Sequence, residues 1–144
     1  MNYKRAFWIS ILAYLTSLLI GISVLVISGL TLSTVSTISS QMLFATQVVS
    51  IIAIGLLFAW WYFRSPRTHA SLINGAKLGI VMIVVGFLLD SLLAAPALLS
   101  IEGFTFSDVV SIYADPVYWL TLLLLLGATA SVGWYLAQAR VSTS

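Results

Sequence analysis

The chain has 144 residues, of which 61% are hydrophobic and only 7% charged, six basic against four acidic, with a mean hydropathy of +1.13. Soluble domains carry about a quarter charged residues, so this chain has too few to coat a water-facing surface. The lack of cysteine excludes disulfides and thiolate chemistry, the single histidine (His69) excludes a multi-histidine metal centre within one copy, and a net charge of +2 gives nucleic acid little hold. No cofactor and no metal are implied.

A membrane helix needs about 20 mostly apolar residues. The first such run covers residues 6–30, behind the positive leader MNYKR. Signal-peptide cores are shorter, about 7–15 residues, so this span is expected to be retained. It carries a stripe of Ser10, Tyr14, Ser17, Gly21 and Ser28 at helical spacing. Such hydroxyls satisfy themselves on a carbonyl one turn earlier, or line a polar path. Residues 31–41, rich in serine and threonine, read as a loop in preference to a helical extension through Leu32, Val35, Ile38 and Met42.

The second run, 42–63, ends in Trp60, Trp61 and Tyr62, and a basic link (64–74) with Arg64, Arg67 and His69 follows. The third run, 76–99, opens on a G-x-x-x-G pair, Gly75 and Gly79, and Gly86, Asp90, Ala94 and Ala97 continue roughly that face. Small residues let membrane helices approach closely, so this face is expected to pack, within one bundle or between copies. The acidic link 100–116 holds Glu102, Asp108 and Asp115, with a short surface helix expected from Ser107 through Val110, Ile112 and Tyr113. Asp115-Pro116 is a helix start, cap then first-turn proline. The fourth run, 117–137, has a shorter small-residue face of Gly127, Ser131 and Trp134.

These runs predict an all-α, single-domain (1–144) integral membrane four-helix bundle. Lys4, Arg5, Arg64, Arg67, Lys77 and Arg140 all fall on one side of it. Lys/Arg excess marks the cytoplasmic side, so the chain is expected in the plasma (inner) membrane as a multi-pass protein, N-in/C-in, with the termini and the 64–74 link cytoplasmic. Trp8, Trp134 and Tyr135 near the inner boundary, and Tyr118 and Trp119 near the outer one, suit aromatic belts.

Asp90 is the outlier, because a carboxylate near the bilayer centre costs about 2.5–3.5 kcal/mol on insertion scales. A rise of ~1.5 Å per residue puts it on the order of 14 Å below the outer boundary. Equal depth on the other spans reaches Gln47, Ser50 and Ser23, its expected partners, while Lys77 is roughly 20 Å away along the same helix. With no cation at that depth, hydrocarbon favours the neutral carboxyl, which both donates and accepts and so suits either a bridge between helices or a proton site. Pro96 cannot bond to the Leu92 carbonyl and is expected to disturb the helix close to Asp90.

The stretches NGAKLG (74–79), LLD (88–90) and DPVYW (115–119) resemble a family of small prokaryotic four-span membrane proteins of unknown function. The resemblance covers the second half of the chain. It implies a four-helix membrane protein and no established activity.

The sequence therefore leads to a non-catalytic accessory or assembly component acting through helix contacts. Its partners are the lipid bilayer and a second copy or another membrane protein, not nucleic acid. The alternative is a small proton- or ion-coupled transporter or channel using Asp90. An enzyme is the least favoured reading, since no nucleophile–base pair can be assembled from inward-facing residues.

Overall fold

The computed structural model describes residues 1–27, 40–100 and 105–141. Its elements are all helical: α1 (Tyr3–Ile27), α2 (Ser40–Phe63), α3 (Leu72–Leu89), a π-helical turn (Asp90–Ala94), α4 (Ala95–Leu99), α5 (Phe106–Ala114) and α6 (Pro116–Val141). Among the described residues three stretches, Tyr3–Ser23, Leu72–Ala97 and Pro116–Val141, are long and apolar enough to cross a membrane, and Val48–Phe63 is a shorter apolar helix. Most of the expected Ser/Thr-rich loop, with Ser28 of the first-span stripe, lies outside the described residues.

Side-chain caps mark where these helices begin. The Asn2 Oδ1 accepts from the Arg5 amide at 3.1 Å, Ser71 Oγ from the Asn74 amide at 3.1 Å, and Asp115 Oδ1 from the Val117 amide at 2.8 Å. Each cap satisfies a first-turn N–H that has no carbonyl partner within its helix. Pro116, next to the Asp115 cap, has no such N–H to satisfy.

Helix α1 packs on α2 and α3, and α6 packs on the same two, most extensively on α3, so α1 and α6 occupy opposite corners. The α3–α6 seam is close because it is built from glycines. A Cβ on Gly75 would stand 2.7 Å from the Ala130 Cα and collide with the Thr129 carbonyl. One on Gly79 would stand 2.5 Å from the Thr129 hydroxyl. The G-x-x-x-G pair is thus occupied within the chain, and α6 answers with a buried face of Thr121, Leu125, Thr129 and Gly133.

Two expectations about small residues need correction. Gly86 lies in line with Gly75 and Gly79, yet a Cβ there would meet nothing within 4 Å. At its level Phe87 meets Tyr118 and Trp119 with ring centroids 5.8 and 6.0 Å away, and rings of that size keep α3 and α6 apart. On α6, Gly127, Ser131 and Trp134 turn outward, away from the packed face.

The tightest packing lies toward one end, where Ala6, Ala59, Tyr62, Phe63 and Leu78 have no exposed surface. There the Asn2 amide donates to the Tyr62 hydroxyl at 2.9 Å and Arg5 Nη2 to the Trp61 carbonyl at 3.1 Å. Arg140 donates to the carbonyls of Thr68 and Phe63. Both ends of the chain and the α2–α3 connection therefore meet, and the basic residues gather with them. At the other end α1 leaves the bundle, with every residue from 18 to 23 exposed.

Candidate functional site: a carboxyl held by tyrosines

Asp90 ends α3 and begins the π-helical turn. The Ala95 amide reaches five residues back to the Asp90 carbonyl, one more than an α-helix allows. Pro96 follows directly, so the expected disturbance takes the form of a widened turn that contains the acid.

The hydroxyl of Tyr14, on α1, donates to Asp90 Oδ1 at 2.7 Å. The phenol of Tyr118, on α6, lies beside the same carboxyl. Phenols from opposite corners of the bundle thus converge on a carboxyl from the helix between them. Phe87 and Tyr113 wall the group, with the Tyr113 and Tyr118 rings nearly perpendicular and 5.4 Å apart. The Trp119 indole N–H donates to the Tyr113 carbonyl at 2.9 Å, which ties α5 to the start of α6. Burial, and then the neighbouring Asp90 carboxylate, push the Tyr113 phenol up from its ordinary value near 10.

The partners expected from depth are placed differently. Ser23 donates to the Leu19 carbonyl on its own helix at 2.7 Å and is exposed. Ser50 lies half-buried on α2, and the side chain of Gln47 lies outside the described residues. Depth counting treats the spans as starting on one plane. Tyr14 is 11 residues beyond the start of α1 and Asp90 is 18 beyond the start of α3, an offset of about 10 Å at ~1.5 Å per residue. The two side chains meet all the same, so α1 and α3 do not start at one level. The readable signal was a phenol, Tyr14, within the polar stripe of the first span. Ser10 of that stripe is buried and bonds to the Ala6 carbonyl at 2.8 Å.

A cleft of about 180 Å³ approaches the site between α2, α5 and α6, bordered by Val48, Ile51, Ile112, Asp115, Tyr118 and Thr121. Tyr118 thus borders the cleft and also lies beside Asp90. Among the described residues no three histidine or acidic side chains gather into a metal-binding group. What the arrangement offers chemically is a carboxyl held by one phenol donor, with a second phenol standing between it and an open cleft. The chain matches no family model, no curated protein and no solved structure.

Proposed function

We propose that this is a small multi-pass membrane protein, N-in/C-in in the plasma membrane, that acts without catalysis as an accessory or assembly component. The Tyr14–Asp90 hydrogen bond carries this reading. It is a contact between helices, and with Tyr118 it joins α1, α3 and α6 at the end of the bundle where glycine packing gives out. The outward surface supports a lipid setting: Leu19, Leu92 and Leu123 are each at least 64% exposed, an apolar surface unsuited to water. The tight packing at the basic end, where Tyr62 and Phe63 are fully buried, also favours a scaffold over a conduit.

The Asp90→Asn and Tyr14→Phe variants test this. A scaffold role expects lower accumulation in the membrane and loss of co-purifying protein. Normal accumulation and assembly with loss of a proton-coupled flux in proteoliposomes would sink it. That second outcome is what a proton-site reading expects, and one observation favours that reading: the π-helical turn at Asp90, a feature common at functional sites, next to the cleft bordered by Tyr118.

A further inference from the structure

The basic end of the bundle holds a second cleft, far from Asp90 along α3. It measures about 250 Å³ and is lined by Asn2, Lys4, Arg5, Trp8, Ser65 and Arg67, room for roughly eight waters at ~30 Å³ each. We propose that this cleft binds a phosphate-ester anion, the headgroup phosphate of an anionic phospholipid in the adjoining leaflet. The lipid source rests on the membrane reading above, while the anion chemistry rests on the cleft alone.

Among the described residues three cations line this cleft and no acid does. Residues 1–89 contain no aspartate or glutamate, so the part of the chain that builds the cleft has no counter-ion to offer. Like charges brought to one cavity repel, and an external anion removes the conflict. Arg5 adds a specific demand. Its Nη2 is engaged by the Trp61 carbonyl, but its buried Nε–H has no acceptor among the described residues. Buried donors are nearly always paired, and a charged donor lacking a partner calls for an acceptor. Guanidinium groups match phosphate oxygens in both charge and geometry.

The surroundings fit the same ligand. The first turn of α1 borders the cleft, and the N-terminal end of a helix carries partial positive charge. Trp8, 57% exposed, stands at the rim, where an amphipathic ring suits the headgroup level. Orienting the chain in a membrane requires positive charge at this end but does not require three cations to share a cavity. Arg64 and Arg140 make the contrast. Arg64 lies over the Trp60 ring at 5.1 Å, and Arg140 is bound to backbone carbonyls. Neither lines the cleft.

The full chain is placed in nanodiscs containing equal phosphatidylcholine and phosphatidylglycerol, and the lipid it retains is read by native mass spectrometry. Wild type is expected to retain phosphatidylglycerol in preference, and Lys4→Gln/Arg67→Gln to lose that preference by roughly tenfold or more. Both substituted side chains are exposed, and Arg5 with its Trp61 contact is left intact. Arg67→Gln alone is expected to weaken the preference, and Arg64→Gln, the same single charge removed at the same end, to keep it. Diffuse surface attraction weighs each cation alike, so an equal loss in Arg64→Gln and Arg67→Gln overturns the site.

A second arm titrates inorganic phosphate into pure phosphatidylcholine nanodiscs. Phosphate binding that Lys4→Gln/Arg67→Gln abolishes assigns the cleft to the phosphate group from either source. Lipid preference without phosphate binding assigns it to the headgroup within the lipid. Absence of both overturns the proposal. Carbonate extraction of native membranes tests the membrane reading separately: release of the chain sinks that reading and leaves the phosphate arm standing.

Discussion

Gly133 on α6 faces Gly75 on α3 so closely that a Cβ on Gly133 would lie 3.1 Å from the Gly75 Cα and collide with the Ser71 carbonyl. Both obstacles are backbone, so neither can rotate away. Ser71 also caps α3, which puts the closest approach of the two helices at the point where α3 begins.

The Gly133→Ala variant is therefore expected to lose about 1–3 kcal/mol of stability, the usual cost of overpacking a closed contact. Gly86→Ala and Gly127→Ala, with open space at the Cβ position, are expected to be neutral or to gain about 0.4–1 kcal/mol from a stiffer unfolded chain. Unfolding in mixed micelles, followed by circular dichroism, reads all three. A Gly133→Ala variant as stable as wild type would mean that α3 and α6 are farther apart than described.

Tyr14→Phe removes one hydroxyl from Asp90 and no ring. Hydrogen bonds between membrane helices average about 0.6 kcal/mol and reach ~1.7, so a loss in that range is expected. A double-mutant cycle with Asp90→Leu should return a coupling of the same size. Additive losses would show that the contact contributes nothing to holding α1 against α3.

Arg140 and Thr68 close the end of α2. The Thr68 hydroxyl, on a residue 2% exposed, donates toward the Ser65 carbonyl at 2.8 Å and the Tyr62 carbonyl at 3.0 Å. Thr68→Val leaves those carbonyls without this donor and is expected to cost about 1 kcal/mol. Arg140→Gln should loosen the same connection and speed its cleavage by protease. Unchanged cleavage would assign Arg140 to membrane orientation alone.

Because the chain has no native cysteine, single cysteines report its orientation directly. Ser65→Cys is expected to resist an impermeant maleimide added outside intact cells, and Thr105→Cys to react. The reverse pattern would refute an N-in/C-in arrangement.

Much of the helical plan was legible in the sequence. Residues 117–137 read as a span because they are apolar all round, and α6 extends that stretch to Pro116–Val141 with the Asp115 cap in place. The short helix expected from Ser107 occurs as Phe106–Ala114. What escaped was contact between helices. Gly75 and Gly86 are alike in spacing, and only the rings of Phe87, Tyr118 and Trp119 on the neighbouring turns decide that one is packed and the other open. Tyr14 and Asp90 differ in position along their helices, and counting residues has no means of seeing how the helices are offset or how far a phenol reaches.

The π-helical turn means that the third helix holds one residue more than its α-helical repeat requires. Deleting a single residue between Asp90 and Pro96 would keep the stretch apolar and restore regular winding. The wide turn takes up that residue locally, so the helix beyond would keep nearly the same azimuth, and α5 would still reach α6 through Tyr113 and Trp119. What would change is the winding of the backbone at Asp90 itself. A lesion invisible to hydropathy and mild for the frame would thus fall on the surroundings of a single carboxyl.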